Sequence, residues 1–197
     1  VLDSLREPIE SGEIAISRTR AKVTYPARFQ LIGAMNPSPT GHYQGNHNRC
    51  TPQQVLRYLS RLSGPFLDRF DLSLEIPLLP NGALSQKQEP SEGSAAVLKR
   101  VLAARKIQLE RAGKVNAHLS NPDITRCCQL SQQDAEWLEG VLNSLGLSVR
   151  AWQRILKVAR TIADLAGEEF IMRQHLQEAV GYRSIDRLLI YLHKSLE

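Results

Sequence analysis

The sequence predicts a mixed fold, in which an α/β part is followed by an all-helical part. Three observations predict it. An apolar run over residues 29–35 stops abruptly at Asn36-Pro37-Ser38-Pro39, as expected of a buried strand that ends at the edge of an open α/β sheet. A stretch rich in proline and glycine covers residues 77–93 and is typical of an interdomain linker. Every segment after that stretch has apolar residues at helical spacing.

The first elements are the end of a helix and a β-hairpin. Residues 1–10 carry leucines and an isoleucine on one helical face, and Gly12 is a favourable residue for ending that helix. Residues 13–17 and 21–25 predict two short strands, with Arg18-Thr19-Arg20 at or near the turn between them. No Asn-Gly or Asp-Gly pair fixes the type of this turn.

Two further strands and a helix complete the α/β part. The run 29–35 does not alternate between apolar and polar residues, so it is expected at the centre of a sheet. Residues 71–76 predict a second strand. Between the two, residues 36–51 are expected to form a loop, and Pro52 favours the first turn of a helix over 51–62.

The predicted domains are a partial α/β core over residues 1–77, a linker over 78–93 and a helical lid domain over 94–197. The helical part predicts helices at 95–112, 134–145 with Ser131 as the N-cap, 149–166, 172–180 and 185–192, and a loop at 116–124. The helix over 149–166 has the clearest apolar stripe, and its opposite face is polar and basic.

Basic residues are concentrated in one part of the chain. Lys and Arg number 25 against 20 Asp and Glu, and from Ile14 to Arg61 there are seven basic residues and no acidic one. Such a stretch suits a polyanion such as a nucleic acid or a nucleotide. The alternative is that acidic residues from elsewhere in the fold balance it.

The cysteine content predicts a reduced, cytoplasmic protein. Cys50, Cys127 and Cys128 fit neither a disulfide framework nor a paired zinc motif. No signal peptide opens the chain and no apolar run approaches the length of a membrane span, so no membrane partner is expected. His42, His47 and Cys50 match no standard zinc spacing, so no metal site is predicted.

Three polar residues are candidates for contact with a nucleotide. Asn36 can orient water or bind a terminal phosphate, because an amide both donates and accepts, unless Asn-Pro merely starts a turn. Arg69 can supply the planar charge that phosphoryl transfer needs, or it pairs at the surface with Asp68 or Asp71. Arg150 stands near a helix start, where the macrodipole opposes a cation, and so indicates an anionic partner or belongs to a solvated face.

Five segments follow one another in a specific order: 1–12, 16–18, 31–37 with Leu-Ile-Gly-Ala-Met-Asn-Pro, 63–71 with Ser-Gly-Pro-Phe-Leu-Asp-Arg-Phe-Asp, and 149–165. Together they cover nearly the whole chain and resemble the magnesium-chelatase-like AAA+ ATPases. The resemblance implies that Asn36 is the sensor 1 residue and that Arg150 is sensor 2. It also implies that Arg69 is the arginine finger, which reaches the nucleotide of a neighbouring subunit.

The family that the chain resembles includes both DNA motors and chelatases, and the basic stretch of this chain favours a DNA motor as the function of the parent protein. The hairpin over 13–25 falls at the pre-sensor-1 hairpin, which in related helicases points into a ring channel, and its Arg18, Arg20 and Lys22 then contact DNA phosphates. The competence-related branch of the family acts in natural transformation as hexameric helicases that promote branch migration. A homo-oligomeric ring and branched or single-stranded DNA are the partners that this branch implies.

The same resemblance implies ATP and Mg²⁺ as cofactors of the intact protein. No G-x-x-x-x-G-K-[ST] loop occurs in the chain, and no Walker B motif is identified in it, so it is expected to be a C-terminal fragment that does not hydrolyse ATP alone and binds no cofactor tightly. Two alternatives stay open for its function. One is a chelatase-type ATPase subunit that inserts magnesium into a porphyrin, and the other is a non-catalytic interaction module.

Overall fold

The computed structural model describes residues 2–18, 21–43, 45, 48–62, 64–79, 82, 85 and 91–196. Contacts divide the chain into two compact units, Val1–Asp71 with Asp186–Glu197, and Leu72–Ile185. The elements in chain order are a 3₁₀ turn at Leu2–Leu5, α1 (Arg6–Ser11), β1 (Glu13–Arg18), β2 (Ala21–Pro26), α2 (Pro52–Leu59), α3 (Gly64–Leu67), α4 (Ser94–Ala112), a second 3₁₀ turn at Asn116–His118, α5 (Asn121–Cys127), α6 (Gln132–Ser144), α7 (Val149–Ala166), α8 (Arg173–Gly181) and α9 (Ser184–Lys194). The described part of the chain is therefore helix-dominated, with one two-stranded sheet.

The predicted hairpin is present, and it joins α1 directly. Gly12 adopts a left-handed φ of 72° after α1, which lets the chain turn into β1 at a conformation that a side chain would strain. Strands β1 and β2 pair antiparallel, with Ile14 opposite Tyr25 and Ile16 opposite Val23. Both strands are exposed along their whole length.

The core of the first unit is small and lies between α2 and α9. Val55 and Leu59 of α2 pack with Leu192 of α9, and each of the three is at most 2% exposed. The start of α2 is fixed by a capping box, in which the Thr51 hydroxyl accepts from the Gln54 amide and the Gln54 side chain accepts from the Thr51 amide. This confirms the predicted helix start at Thr51-Pro52.

The structure does not form the two predicted strands at 29–35 and 71–76. Residues 29–35 have no regular secondary structure, and in the second segment only Ser73 forms a bridge, with Arg183. Most of their apolar side chains are exposed, with Ile32 at 83% and Ile76 at 84%. A strand needs a neighbour for its backbone hydrogen bonds, and β1 and β2 are the only paired strands among the described residues.

The second unit has a larger core, built from α4 to α8. The central helix α7 places Ile155, Leu156 and Ala159 against Leu138 of α6 and Leu176 of α8. The prediction of a helix over 149–166 is confirmed to the residue, as is the Ser131 N-cap of α6. The predicted boundaries of core, linker and lid stay a prediction.

The prediction of a loop over 116–124 is wrong. The segment contains a 3₁₀ turn and the start of α5. A capping box starts α5, because the Ser120 hydroxyl accepts from the Asp123 amide and the Asp123 carboxylate accepts from the Ser120 amide at 3.0 Å. The sequence Ser-Asn-Pro-Asp contained this signal, with proline inside the first turn. Separately, none of the helices formed by the described residues is both long and apolar enough to cross a bilayer.

Candidate functional site

The structure attaches Arg69 to helix α1. The Arg69 Nε donates to the backbone carbonyl oxygen of Arg6 at 2.9 Å, and one terminal nitrogen of Arg69 forms an ion pair with the Glu10 carboxylate. The Arg69 side chain is 12% exposed, whereas that of Glu10 is 47% exposed. The partners of Arg69 that these contacts identify lie about 60 residues away in sequence, and Asp68 is not among them.

Arg69 also lines two cavities in the first unit. One is a small cavity of about 80 Å³ beside Phe70 and Leu31. The other is an open cleft of about 660 Å³ lined by Ser4, Arg6, Glu7, Glu10, Ser11 and Arg69. Guanidinium groups at the edge of an open cleft are suited to receive a phosphate from outside, because they present planar N–H donors.

Asn36 is exposed at the end of segment 27–36, which has no regular secondary structure, and directly precedes Pro37. Its side chain forms no hydrogen bond within the described part of the chain, neither to Arg69 nor to another residue. The structure therefore places the sensor 1 candidate at an accessible position without completing a site around it. Its role stays a prediction.

Arg150 is the second residue of α7 and is exposed. The Ser148 N-cap of this helix makes no side-chain capping bond, and the first turn contains no acidic residue. The positive end of the helix dipole and the Arg150 guanidinium therefore lie close together without a local counter-charge from that turn, which favours an anion there. The sensor 2 role of Arg150 likewise stays a prediction.

The basic residues of the hairpin do not share one face. Side chains alternate along a strand, so Arg18 lies on the face of Ile14 and Ile16, whereas Lys22 lies on the opposite face with Thr24. Both Arg18 and Lys22 are exposed. Arg20 lies outside the described residues, as does Thr19.

A buried polar network in the second unit was not predicted from the sequence. Arg111 of α4 donates to both carboxylate oxygens of Asp164, at 2.6 and 2.7 Å, and Arg160 Nε donates to the same carboxylate at 3.1 Å. Asn116 adds a bond to Asp164 at 2.8 Å and one to Thr161 at 3.0 Å. The network joins α4, the second 3₁₀ turn and α7, so it fixes the packing of three elements at one carboxylate.

The rest of the network involves the chain after α7. The Arg160 terminal nitrogens donate to the backbone carbonyl oxygens of Glu168 and Glu169, at 2.7 and 2.8 Å. Arg160 is 3% exposed as a result. The sequence signal was the i, i+4 spacing of Arg160 and Asp164, which places them on one helical face.

The electrostatics of this network follow from its geometry. Burial by itself raises the pKa of Asp164, but hydrogen bonds from Arg111 and Asn116 and the charges of Arg160 and Arg111 outweigh it, so the pKa lies below its usual value. Nearby, burial and the neighbouring Cys127 raise the pKa of the Cys128 thiol to about 11. A thiol with such a pKa is a poor nucleophile at neutral pH, so Cys128 is a structural part of the core.

Metal-ligating side chains do not gather in the described residues. No group of three His, Cys, Asp or Glu side chains is close enough there to hold an ion. Cys50 lies 3.3 Å from the Thr40 hydroxyl, and His47 falls outside the residues that the structure describes.

Two family models match the chain in succession. The model described as magnesium chelatase, subunit ChlI, matches residues 1–84, and the model described as magnesium chelatase, subunit ChlI C-terminal, matches residues 91–183. The change from one model to the other falls within the predicted linker.

Individual relatives are similar over nearly all of the chain. It is 70% identical over 195 residues to a protein of Escherichia coli K12 called "Uncharacterized protein YifB", covering 99% of this chain and 38% of the relative. It is 64% identical over 189 residues to "Competence protein ComM" of Haemophilus influenzae, covering 96% of this chain and 37% of the relative. An uncharacterized protein of Mycobacterium tuberculosis is 38% identical over 186 residues. The chain thus spans less than two fifths of the length of these curated relatives.

Proposed function

Because the chain belongs to the magnesium-chelatase-like AAA+ family, we propose that it is part of an ATP-dependent motor that acts on DNA. The proposed motor is a hexameric ring that promotes branch migration during natural transformation. In it, this chain supplies the last part of the α/β core, with its DNA-contacting hairpin, and the helical lid.

One observation carries the proposal. The chain is 64% identical over 189 residues to a relative named as a competence protein. Competence is the ability of a cell to take up DNA, so a protein this similar is proposed to act on DNA. The acid-free basic stretch from Ile14 to Arg61 supports the same partner, because a surface of one charge attracts a polyanion.

The three nucleotide candidates take separate roles in the proposal. Asn36 orients the attacking water or the terminal phosphate, and Arg150 contacts the nucleotide from the lid. Arg69 supplies charge to the transition state on a neighbouring subunit, which is why the proposal requires a homo-oligomer. The donors fit phosphate oxygens by their chemistry, since two are guanidiniums and one is an amide.

In the proposed motor, Mg²⁺ binds together with the nucleotide. When bound, the ion neutralises charge on the β- and γ-phosphate oxygens. The residues described here offer no cluster of carboxylates to hold it, so in this proposal the chain acts on the phosphates and leaves the ion to other groups.

A chelatase-type ATPase subunit is the second candidate, and the descriptions of the two matching family models favour it. A non-catalytic interaction module is the third. All three are separated by one assay, in which ATP hydrolysis by the full-length protein is measured alone, with single-stranded or branched DNA, and with chelatase partner subunits. Stimulation by DNA supports the motor, and stimulation by partner subunits alone supports the chelatase. If ATP is not hydrolysed under any of these conditions, the result supports the non-catalytic interaction module.

The hairpin residues give a further prediction. Arg18→Ala and Lys22→Ala, made separately in the full-length protein, are expected to weaken DNA binding regardless of sequence. Each lost phosphate contact should lower the log–log salt slope by about 0.7–0.9. The measurement is fluorescence anisotropy of labelled DNA over a range of salt concentrations. Because the two side chains lie on opposite faces, loss from both variants indicates DNA around the hairpin tip, and loss from one identifies the face that meets DNA.

Lys106→Ala is the matched control for these variants. Lys106 is exposed on α4 in the second unit, and its ion pair with the exposed Glu110 is long, at 3.8 Å. Its removal should leave both the affinity and the salt slope unchanged. If Arg18→Ala and Lys22→Ala also leave the DNA affinity and the salt slope unchanged, the hairpin does not bind DNA.

A further inference from the structure

We propose that Glu10 is a positioning residue for Arg69, and that α1 thereby couples the β1–β2 hairpin to the nucleotide of the neighbouring subunit. The inference rests on the proposed function, because it takes the hairpin as the DNA contact and Arg69 as the arginine finger. It adds a residue that neither the sequence motifs nor the comparisons assign to either task.

The first step is the attachment of Arg69. Its Nε and one terminal nitrogen are bound by two groups on α1, the Arg6 carbonyl oxygen and the Glu10 carboxylate. A guanidinium is planar and rigid, so two bonds to one helix fix its plane as well as its position. The Glu10 bond is charge-assisted and is therefore the stronger of the two. Wherever α1 moves, the Arg69 guanidinium moves with it.

The second step is the joint between α1 and the hairpin. One residue, Gly12, separates the end of α1 from the start of β1, and its amide donates to the Pro8 carbonyl oxygen at 2.9 Å. Directly after β2, the Ala27 amide donates to the Gly12 carbonyl oxygen at 2.7 Å. The base of the hairpin is thus hydrogen-bonded to the last turn of the helix.

Ser11 strengthens the same joint. Its hydroxyl donates to the Glu7 carbonyl oxygen at 2.9 Å and accepts from the Glu13 amide at 3.1 Å. A side chain on Gly12 would also meet the Arg28 side chain, since a Cβ there would lie 3.1 Å from the Arg28 Cγ. A joint this closely bonded transmits a displacement of the hairpin to α1 instead of absorbing it.

The consequence is a continuous connection from DNA to the finger. A hairpin displaced by DNA displaces α1, and Glu10 carries Arg69 with it toward or away from the neighbouring nucleotide. Because transition-state stabilisation depends on placement within about 1 Å, a small movement is enough to switch hydrolysis. Without the carboxylate, Arg69 loses its charge-assisted bond to α1, so its guanidinium is held less firmly to that helix.

Glu7 provides a matched control on the same helix. It lies one turn before Glu10, lines the same cleft and is exposed. Among the described residues its side chain has no bond to Arg69. Glu7→Gln and Glu10→Gln therefore make the same chemical change, with the same change in net charge, on the same element.

The experiment compares these two variants in the full-length protein. ATPase kcat and KM are measured with and without a poly-dT oligonucleotide, and thermal stability is measured in parallel. Glu10→Gln is expected to lower the DNA-stimulated kcat about 10–100-fold, to bring the stimulated-to-basal ratio close to one, and to leave KM for ATP and Tm unchanged. Glu7→Gln is expected to behave as the wild type.

A double variant tests the route through Arg69. If Glu10 acts by positioning Arg69, then Glu10→Gln should add no further loss to the residual hydrolysis that single-turnover measurements detect in Arg69→Ala, because the group that it positions is already gone. A multiplicative loss in the double variant would show that Glu10 acts in another way and would overturn the inference.

The remaining outcomes are also decisive. The inference is overturned if Glu10→Gln matches Glu7→Gln, if it raises kcat, or if kcat falls only together with Tm. A wild-type protein that DNA does not stimulate removes the proposed function, and the inference with it. A wild-type protein that DNA stimulates, beside a Glu10→Gln variant that keeps the stimulation, removes only the inference.

Discussion

Replacement of Arg69 by alanine in the full-length protein is expected to abolish ATP turnover while nucleotide binding is largely retained. An arginine that stabilises transition-state charge is worth about 10³–10⁵ in rate, which is far more than any other change considered for this chain. Arg69→Lys should also be severely impaired, since it keeps the charge but loses the planar fork of donors.

The measurement is kcat for ATP together with the equilibrium binding of a nucleotide analogue. Arg57→Ala serves as the control, because Arg57 is an exposed arginine on α2 in the same unit as Arg69. The ion pair of Arg69 with Glu10 is partly exposed, so its loss should change stability little. A variant that loses nucleotide binding but keeps turnover per bound nucleotide would show that Arg69 is a binding or structural residue.

If Arg69 acts on the nucleotide of a neighbouring subunit, mixing variant and wild-type subunits should reveal it. When the Arg69→Ala protein is mixed with wild type, each variant subunit should silence the site of its wild-type neighbour. Total activity should therefore fall faster than the fraction of wild-type protein. A linear fall would indicate that Arg69 serves its own subunit.

The second large effect is expected on stability, from Asp164→Asn. The Asp164 carboxylate is fully buried and accepts from Arg111 and Arg160, so its replacement leaves two cations without their counter-charge. Breaking a buried pair in this way costs about 3–5 kcal/mol in free energy of unfolding. Urea unfolding of the whole chain, followed by circular dichroism, measures it.

Glu139→Gln is the control for this variant, since Glu139 is an exposed carboxylate on α6 in the same unit. It should unfold as the wild type does. A loss below about 1 kcal/mol for Asp164→Asn, which is the range of ordinary surface substitutions and exposed ion pairs, would contradict the role of the network.

The pH dependence follows from the lowered pKa of Asp164. An aspartate in the unfolded chain has a pKa of about 3.9, and the native pKa lies below that value. The ionised carboxylate therefore stabilises the native state fully at pH values well above about 4, and this contribution is lost as the pH falls through the native pKa. The stability difference between wild type and Asp164→Asn should accordingly shrink below about pH 4.

Local patterns in the sequence determined most of the helices. The apolar stripe of α7, the Thr51-Pro52 start of α2 and the Gly12 end of α1 all depend on neighbours within a few residues, and the structure confirms each of them. The hairpin β1–β2 was predicted for the same reason, since its two strands are adjacent in the chain. The order of motifs also determined the family, which needs no tertiary information.

Interactions between distant residues were decided only by the tertiary structure. The segment 29–35 has the composition of a central strand, yet its conformation depends on a partner that the sequence of the segment does not specify. One local feature, the capping box of α5, was also not predicted, although the two residues that form it, Ser120 and Asp123, are only three positions apart. By contrast, the two faces of the hairpin became clear only from its register, which separates Arg18 from Lys22.

The same distinction applies to the candidate site. From the sequence, Asp68 and Asp71 were the candidate partners of Arg69, and the folded chain adds an ion pair with Glu10, 59 residues away, that the sequence did not predict. The ion pair between Arg111 and Asp164, which lie 53 residues apart, likewise could not be predicted from local patterns. The physical reason is that a helix or a turn is stabilised by groups a few positions apart, so it can be predicted from a short stretch of sequence. An ion pair between elements is set by how those elements pack, and the sequence encodes that packing only through the whole fold.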